Sequence, residues 1–388
     1  MDPWACGNTK QKISPSAYID NFGVKYHNKE DATDFLNTLG KNYKYTVDWS
    51  GSDFCGLHFD WNYSQGYVDV SMPNYVKNTL AKLNHVPIKY PQYSPHQHIP
   101  FKFGKPGTRQ YAKTPDTSSY ASQSETKHVQ STIGSFLYYA RALDGTLLPA
   151  LNTAGTTQAL PTQATLAQIQ RIQDYAATYP DVVLRFYASD MILHVDSDAA
   201  YLVLPKARSR IAGYFRLENE IRKNRHSPPN GAILIECKTI KHVVSSAAEA
   251  ETNALFHNAK TSIPIRQILI AMGHPQPPTP IKIDNTTALG YVNDNIQLKK
   301  SKAWDMNCYW LRDREEQKQF NIFWERGNSE HTINEGDYYT KHHPTTYHRH
   351  IRPRYVLDRL NNVCSSIIKL RGCINPPETP RLMTDQTT

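Results

Sequence analysis

Four acidic residues in the second half of the chain have types and positions that suit a divalent-metal site: Asp198, Glu251, Asp284 and Asp337. Each lies where a predicted strand or the end of a predicted helix could direct its carboxylate toward one shared point. Mg²⁺ prefers oxygen ligands, and a two-metal site that cleaves a phosphodiester needs enough negative charge to hold both ions against their mutual repulsion. The four acids therefore indicate nuclease chemistry.

The first of these acids has a competitor on the same strand. Within 191–198, the period of two that is typical of a strand puts His194, Asp196 and Asp198 on one face. Acids are depleted from strands, so two on one face require an explanation. Asp198 could also simply end the strand in a turn. The residues alone leave both acids as candidates.

The second acid lies on a predicted helix. Ser246 is expected to be the N-cap of this helix, and Glu249 is expected to reach back to the N-cap backbone N–H in a capping box. Glu251 falls instead on the stripe that should face the core, together with Ala254 and Leu255. A buried carboxylate needs a positive partner, and an arginine would satisfy it as well as a metal would.

The third and fourth acids also have structural alternatives. Asp284 follows a short predicted strand, 280–283, and strand ends are where α/β folds bind ligands. Either Asp284 or Asn285 could instead cap the next helix. Asp337 is predicted to open a helix, where a negative charge complements the helix dipole without any metal. Spacing alone therefore does not decide between a metal site and four structural carboxylates.

The histidines near the end of the chain suggest a different metal. His342, His343, His348 and His350, with Cys364 and Cys373 downstream, offer zinc-binding side chains. Their spacing matches no standard zinc site, so a basic, exposed C-terminal segment is the favoured interpretation.

The elements that must position the four acids follow from the hydrophobic pattern. A small mixed α/β unit is predicted over residues 16–82, and a long loop rich in Pro, Gly, Gln and His over 87–119. Helical patterns fill 124–180, and helices alternate with strands after residue 247. Between them, strands are predicted at 182–187, 191–195, 211–217 and 232–244.

Bulk composition narrows the class of protein. A chain of 388 residues is long enough for two or three compact domains. Its 44 Lys and Arg against 35 acids give a formal charge of +9, which favours polyanions such as nucleic acid as partners. Six cysteines without C-x-x-C spacing favour a reducing compartment, the cytoplasm or alternatively the nucleus. No apolar run approaches the roughly 18 residues of a membrane span, and no export signal is visible, so no membrane partner is expected.

Six segments, in order, resemble the ribonuclease H domain of copia-type LTR retrotransposon Pol polyproteins. They are HVDSDAAYL (194–202), KARSR (206–210), SSAAEAE (245–251), DNTTA (284–288), SKAWDM (301–306) and DYYTKHHP (337–344). Three earlier segments look like the palm, thumb and connection of a reverse transcriptase: FGVKY (22–26), YVK (75–77) and GSFLYYAR (134–141). The resemblance covers roughly residues 16–356.

The resemblance implies an α/β fold in which a ribonuclease H-like mixed five-stranded sheet, flanked by helices, follows a partial palm and a helical thumb and connection. The implied divisions are an unmatched segment at 1–15, a palm remnant at 16–86, a linker at 87–119, the thumb and connection at 120–180, the ribonuclease H-like domain at 181–356 and a tail at 357–388.

The resemblance also implies the roles of the acids. It selects Asp198 over Asp196 and makes Asp198, Glu251, Asp284 and Asp337 both the catalytic residues and the ligands of two Mg²⁺ ions, with Mn²⁺ as an alternative. Whether Asp196 shares the role of Asp198 stays open. The implied enzyme is an endonuclease that hydrolyses the RNA strand of an RNA·DNA hybrid and recognises 2′-hydroxyls. Other retroelement Pol or Gag products are further implied partners.

Five basic residues are candidates for contacts with the phosphates of the hybrid: Arg208, Arg210, Lys299, Lys300 and Lys302. Exposed lysines and arginines are often merely solvated, and that alternative is equally compatible with their positions.

The polymerase part departs from the family pattern. The family has a Tyr/Phe-x-Asp-Asp turn, whereas Tyr18 is followed here by Ile19, Asp20 and Asn21, and an amide carries no charge for a metal. Only 17 residues precede Tyr18, too few for the fingers and the remaining catalytic aspartate. Polymerase activity is therefore predicted to be absent.

Three hypotheses follow for the whole chain. The leading one is a ribonuclease H attached to an inactive polymerase remnant. The alternative is a catalytically silent remnant that at most binds nucleic acid through its basic surface. An integrase-like nuclease that shares the same general fold is less favoured, because the ordered segments match ribonuclease H.

Overall fold

The computed structural model describes residues 13–18, 21–99, 116–220, 229–293, 302–327 and 333–359. The first part of the chain contains β1 (Ile13–Tyr18), β2 (Asn21–Tyr26), α1 (Lys29–Gly40), β3 (Asp53–Phe54), β4 (Leu57–Asn62), β5 (Tyr67–Ser71) and α2 (Tyr75–Lys82). Three helices follow, α3 (Gln123–Ala142), α4 (Leu148–Gly155) and α5 (Gln163–Thr178).

The second half of the chain continues with β6 (Val182–Tyr187), β7 (Ile192–Leu204), β8 (Arg208–Glu218), β9 (Ala232–Thr239), α6 (Ala247–Ala271), β10 (Thr279–Ile283) and α7 (Thr286–Val292). It ends with α8 (Lys302–Glu316), β11 (Phe320–Trp324), α9 (Asp337–Thr340), α10 (Thr345–Ile351) and β12 (Leu357–Asp358). No described helix is both long enough and apolar enough to span a membrane.

A mixed five-stranded sheet organises the second half, in the order β11-β10-β7-β8-β9. Strands β7, β8 and β9 are antiparallel neighbours, whereas β10 runs parallel to β7 and β11 runs parallel to β10. Helices α6 and α8 pack on one face. This arrangement confirms the predicted fold class.

A second five-stranded sheet has the order β12-β6-β5-β4-β3, with antiparallel pairing throughout. Its strands pair across segments that were predicted to belong to different parts of the chain. Strand β6 was expected in the ribonuclease H-like part that begins at residue 181, yet it pairs with β5 of the preceding unit. Strand β12, in the predicted tail, pairs with β6. A division at residue 181 therefore does not separate the two sheets.

Strand β7 is longer than the pattern predicted. Its pairing with β8 continues past residue 195, and Asp198 lies opposite Ala212 in the middle of the ladder. The alternative that Asp198 merely ends a strand in a turn is wrong. Strand β9 is shorter than predicted, because it ends at Thr239 and the segment that follows leads into α6.

Helices α3, α4 and α5 share one hydrophobic core with both sheets. Phe136 of α3 and Ile169 of α5 are buried in the same cluster as Val70 of β5 and Tyr214 of β8. Phe215, the next residue along β8, lies in a separate cluster under α6. Because successive strand residues point to opposite faces, α3–α5 cover one face of the mixed sheet and α6 the other.

A buried ion network ties the end of the chain to the helices. Arg352 donates two hydrogen bonds of 2.7 Å to Asp358, donates to the Tyr175 hydroxyl at 2.8 Å and lies 3.7 Å from Asp144. Asp144 is almost completely shielded from water. The network therefore joins the turn after α3, helix α5 and strand β12.

Replacing the central cation of this network tests its contribution to stability. The change Arg352→Ala leaves two buried or half-buried carboxylates without their counter-ion, and we expect it to lower the free energy of unfolding by roughly 3–5 kcal/mol. Arg349→Ala, at an exposed position of α10, is the control and should cost about 1 kcal/mol or less. Urea unfolding measures both, and equal losses in the two variants would contradict the assigned role.

Candidate metal centre

The register between β7 and β10 sets the geometry of the site. Ile281 pairs with Val195 and Lys282 with Asp196. Continuing this register by two residues puts Asp284, directly after β10, beside Asp198 on β7. Neighbouring strands are about 4.8 Å apart. Two acids that are distant in the sequence therefore meet where β10 ends.

The carboxylate of Asp284 is not used to cap a helix. Asn285 is the N-cap of α7, and its side-chain oxygen accepts the Ala288 N–H at 3.0 Å. The chain after β11 also approaches Asp284 closely, since a Cβ atom on Gly327 would lie 2.4 Å from the Asp284 Oδ2. Glycine permits this approach because it has no side chain.

Glu251 is carried to the site by α6. The N-cap is Ser246, as predicted, and its Oγ accepts the Glu249 N–H at 3.1 Å. The Glu249 carboxylate, however, accepts from the backbone and the hydroxyl of Ser245, both at 2.7 Å, so the predicted capping box is wrong in its second half. Glu251, one half-turn on, is buried and accepts a hydrogen bond from the Ala199 backbone.

One oxygen of Glu251 distinguishes a metal site from a structural ion pair. Its Oε2 is buried and has no hydrogen-bond partner. Within the described ranges, no lysine or arginine forms an ion pair with Glu251, so the alternative of an arginine counter-charge is not what this structure shows. A buried carboxylate oxygen without a partner lowers the stability of the fold unless a cation binds it.

Three of the four predicted acids form one cluster. Carboxylate oxygens of Asp198, Glu251 and Asp284 all lie within 4.8 Å of one another. Burial, followed by the charges of Asp337 and Asp284, raises the pKa of Asp198 to about 8. Burial and then Asp198 and Asp284 raise the pKa of Glu251 well above its usual value, and burial and then Asp337 raise the pKa of Asp284. This oxygen-only, mutually repelling donor set fits a hard divalent cation.

The fourth acid lies beside the cluster. Asp337 opens α9, as predicted, but among the described residues it is not a member of the group within 4.8 Å. Its carboxylate accepts from the Lys341 ammonium at 2.6 Å. Its neighbour Gly336 packs against Asp198, with 3.3 Å between a Cβ built on the glycine and the Asp198 Cβ. The structure thus brings three predicted ligands together and places the fourth next to them, paired with a lysine.

Asp196 has a different environment from Asp198, although both lie on the same face of β7. Asp196 forms ion pairs with Arg216 at 2.8 Å and with Lys282 at 2.9 Å. Burial alone would raise the pKa of Asp196, but the charges of Arg216 and Lys282 lower it to about 2. Asp196 is therefore an acid with two cationic partners, Arg216 and Lys282.

The segment before Asp337 is clamped to β7 and β10 by three hydrogen bonds. Asp196 accepts the Glu335 N–H at 3.0 Å, Lys282 donates to the Ile333 carbonyl at 2.9 Å, and Asn334 donates to the Ser197 carbonyl at 2.9 Å. The sequence reasoning missed Lys282 and Asn334. A lysine between two isoleucines in an apolar strand was the available signal for Lys282.

The predicted phosphate-binding residues divide into three groups. Arg208 is half-buried and donates to the Lys241 carbonyl. Arg210 is completely buried and donates to Asn152 and Thr153, so the prediction that it grips phosphate is wrong. Its position on β8 faces the helices rather than solvent. The remaining predictions lie outside the described residues: Lys299, Lys300, the side chain of Lys302, and Asp20 of the polymerase turn, whose neighbour Asn21 begins β2.

The histidines do not form a zinc site among the described residues. His348 hydrogen-bonds with the Tyr338 hydroxyl at 2.6 Å, and His342 with the Thr153 hydroxyl at 3.0 Å. The His343 backbone N–H donates to the ring of His96 at 3.0 Å. The rings of His348, His342 and His96 thus take part in hydrogen bonds within the protein. His350 is exposed, and Cys364 and Cys373 lie outside the described residues.

Comparisons with known proteins concern the fold. No family model and no curated protein matches the sequence. The structure is similar to ribonuclease H1 from the halophilic archaeon Halobacterium salinarum, with 11% identity, 35% of this chain and 86% of that chain covered, and a TM-score of 0.23. The order and directions of the strands show a ribonuclease H-like fold.

Two structures of the foamy viral protease-reverse transcriptase with double-stranded DNA are also similar. One, the dRH form, has 12% identity, 82% of this chain and 47% of that chain covered, and a TM-score of 0.42. The other has 14% identity, 83% and 56% covered, and a TM-score of 0.39. The chain spans about half the length of these viral proteins.

Neutralising one acid tests the cluster directly. Mg²⁺ should raise the melting temperature of the unaltered protein, with a stabilisation of about 2.7 kcal/mol at a concentration 100 times the Kd. The change Asp284→Asn should abolish this shift without lowering the stability of the metal-free protein, because it removes repulsion. Glu316→Gln, at an exposed acid of α8, should keep the shift. Thermal melts with and without Mg²⁺ check this, and an undiminished shift in Asp284→Asn would refute the site.

The pKa of Asp198 predicts a pH dependence for ion binding. Since burial and neighbouring acids hold this pKa at about 8 without metal, an ion must displace at least one proton at lower pH, and its apparent affinity should rise at least about tenfold per pH unit toward pH 8. Conversely, the metal-free protein should lose stability as the pH rises from 3.8, the ordinary pKa of an aspartic acid, toward 8, because the folded state retains a proton that the unfolded state loses. Calorimetric titration with Mg²⁺ across this range measures the first effect, and a pH-independent affinity would contradict it.

Proposed function

We propose that the chain is a retroelement-derived ribonuclease H, of the copia type, that hydrolyses the RNA strand of RNA·DNA hybrids with two Mg²⁺ ions. One observation carries the proposal: two buried carboxylates, on β7 and α6, and a half-buried one at the end of β10 converge within 4.8 Å on a ribonuclease H-like sheet. The hybrid as substrate rests on the ordered segments that resemble the copia-type domain.

The residues present fit the ions that this reaction needs. Asp198, Glu251 and Asp284 would hold one ion, and Asp337 with Asp198 would hold the other. When bound, the ions would supply an activated water and stabilise the leaving 3′ oxygen. The protein's own contribution is to keep the carboxylates shielded from water and fixed on regular elements, so that no rearrangement of the backbone is needed before ions and substrate bind.

The clamp around Asp196 serves the same chemistry. It holds the chain before Asp337 against β7, so the fourth acid starts its helix at a set distance from Asp198. The proposal includes no polymerase activity, because Asn21 replaces the second aspartate of the family turn. Other Pol or Gag products are proposed partners, and the cytoplasm, or alternatively the nucleus, is the proposed location.

One observation favours a second candidate function. The chain carries a formal charge of +9, which would support nucleic-acid binding even if no hydrolysis occurred. A catalytically silent remnant that binds nucleic acid is therefore the alternative.

A cleavage assay separates the two functions. The purified chain should cut the labelled RNA strand of an RNA·DNA hybrid when Mg²⁺ is added, and Asp284→Asn should lower the rate at least about 100-fold, since removing a charge that the transition state needs costs this much or more. Glu316→Gln is the matched control and should cut normally. Gel analysis of the RNA products gives the rates.

The possible outcomes of this assay discriminate among the hypotheses. Binding of the hybrid without cleavage by the unaltered protein would support the silent remnant. Cleavage that Asp284→Asn does not reduce would place the reaction outside this site. Joining of DNA strands in place of RNA cleavage would instead revive the integrase-like hypothesis.

A further inference from the structure

The backbone that carries Asp337 has little freedom to move. The Asp337 N–H donates to the Asn334 carbonyl at 3.1 Å, and Asn334 is in turn bonded to Ser197 on β7. Asn334 is almost completely buried. The Asp337 carboxylate can therefore exchange partners by rotating its side chain, but the residue cannot leave the site.

Its present partner is a cation four residues further along the chain. Lys341 follows α9 with an extended backbone, φ −144° and ψ 171°, and its Nζ lies 2.6 Å from Asp337 Oδ1. Lys341 also interacts electrostatically with Asp198. The Lys341 side chain is 37% exposed, which gives it a path toward solvent.

Two other basic side chains near the site, Lys282 and His343, do not compete with Lys341 for Asp337. The Lys282 ammonium is held by Asp196 and by the Ile333 carbonyl, both at 2.9 Å. Burial lowers the pKa of His343 to about 4, so this ring is neutral at neutral pH. Among the described residues that interact with Asp337, Lys341 is thus the cation free to change position.

We propose that Lys341 takes the place of the second divalent ion in the metal-free protein and must swing out before that ion binds between Asp198 and Asp337. This inference rests on the proposed two-ion function. Among the described residues, no lysine or arginine forms an ion pair with Asp198, Glu251 or Asp284, which would hold the first ion. Ion binding is therefore ordered, and the second ion is the weaker one because it must displace an ammonium group.

Counting bound Mn²⁺ ions tests this order. In the full chain, titration followed by electron paramagnetic resonance should show two ions, the second bound at least about tenfold more weakly, as expected when a partly shielded ion pair has to be broken. Lys341→Met should strengthen the second ion about tenfold and affect the first much less, because Lys341 forms its ion pair with Asp337. Lys341→Arg keeps the positive charge and should behave like the unaltered protein.

Two further variants act as controls. Lys77→Met, at an exposed position of α2, removes one positive charge elsewhere and should alter neither ion. Lys341→Gln provides the same test with a polar side chain if the methionine variant folds poorly, and melting curves of the metal-free proteins show whether each variant is folded.

The results that would overturn the inference differ from those that would overturn the proposed function. A second ion whose affinity is unchanged or weaker in both Lys341→Met and Lys341→Gln overturns the inference alone. So does slower RNA cleavage with unchanged ion binding, which would mean that Lys341 acts on the substrate. If the unaltered protein binds no ion, the proposed function fails as well. Two ions in Lys341→Met but one in the unaltered protein would support the inference.

Discussion

Repulsion among the carboxylates of Asp198, Glu251 and Asp284, two of them buried and the third half-buried, is the constraint on which the rest of the structure depends. The fold holds these groups on a strand, a helix and a strand end, so they cannot separate to relieve the repulsion. Only protons or cations can compensate for it. Asp196 and Asp198 show the contrast, since they are two residues apart with pKa values of about 2 and about 8. Two cations lie beside Asp196, whereas further acids lie beside Asp198, and this contrast accounts for the difference in pKa.

The surrounding structure keeps this strained arrangement in place. Helix α6 packs against one face of the mixed sheet. Helices α3–α5 and the second sheet pack against the other face. The Arg352 network ties the C-terminal segment to the same helices. The free energy that these distant contacts contribute to folding therefore offsets the cost of the acidic cluster. Such compensation is usual where a functional site departs from the most stable arrangement.

Much of the candidate site was predictable because its signals are local. The resemblance selected Asp198, Glu251, Asp284 and Asp337, and the structure gathers the first three and places the fourth beside them. The N-cap Ser246 was predicted and Asn285 was one of two candidates, because capping depends on residues a few positions apart. Arg210 was wrongly assigned to the surface, since a strand pattern does not show which face the helices cover.

The sequence by itself determined the types of many elements, because helix periods, strand alternation and caps are decided by near neighbours in the chain, and the family resemblance that it carries selected the four acids. Only the tertiary structure decided that Asp284 lies beside Asp198, that Asp196 pairs with Lys282 and Arg216, and that β6 joins the other sheet. These depend on strand register and on charges brought together from distant segments. No local sequence pattern encodes such tertiary contacts, because their energies arise only when distant segments pack together.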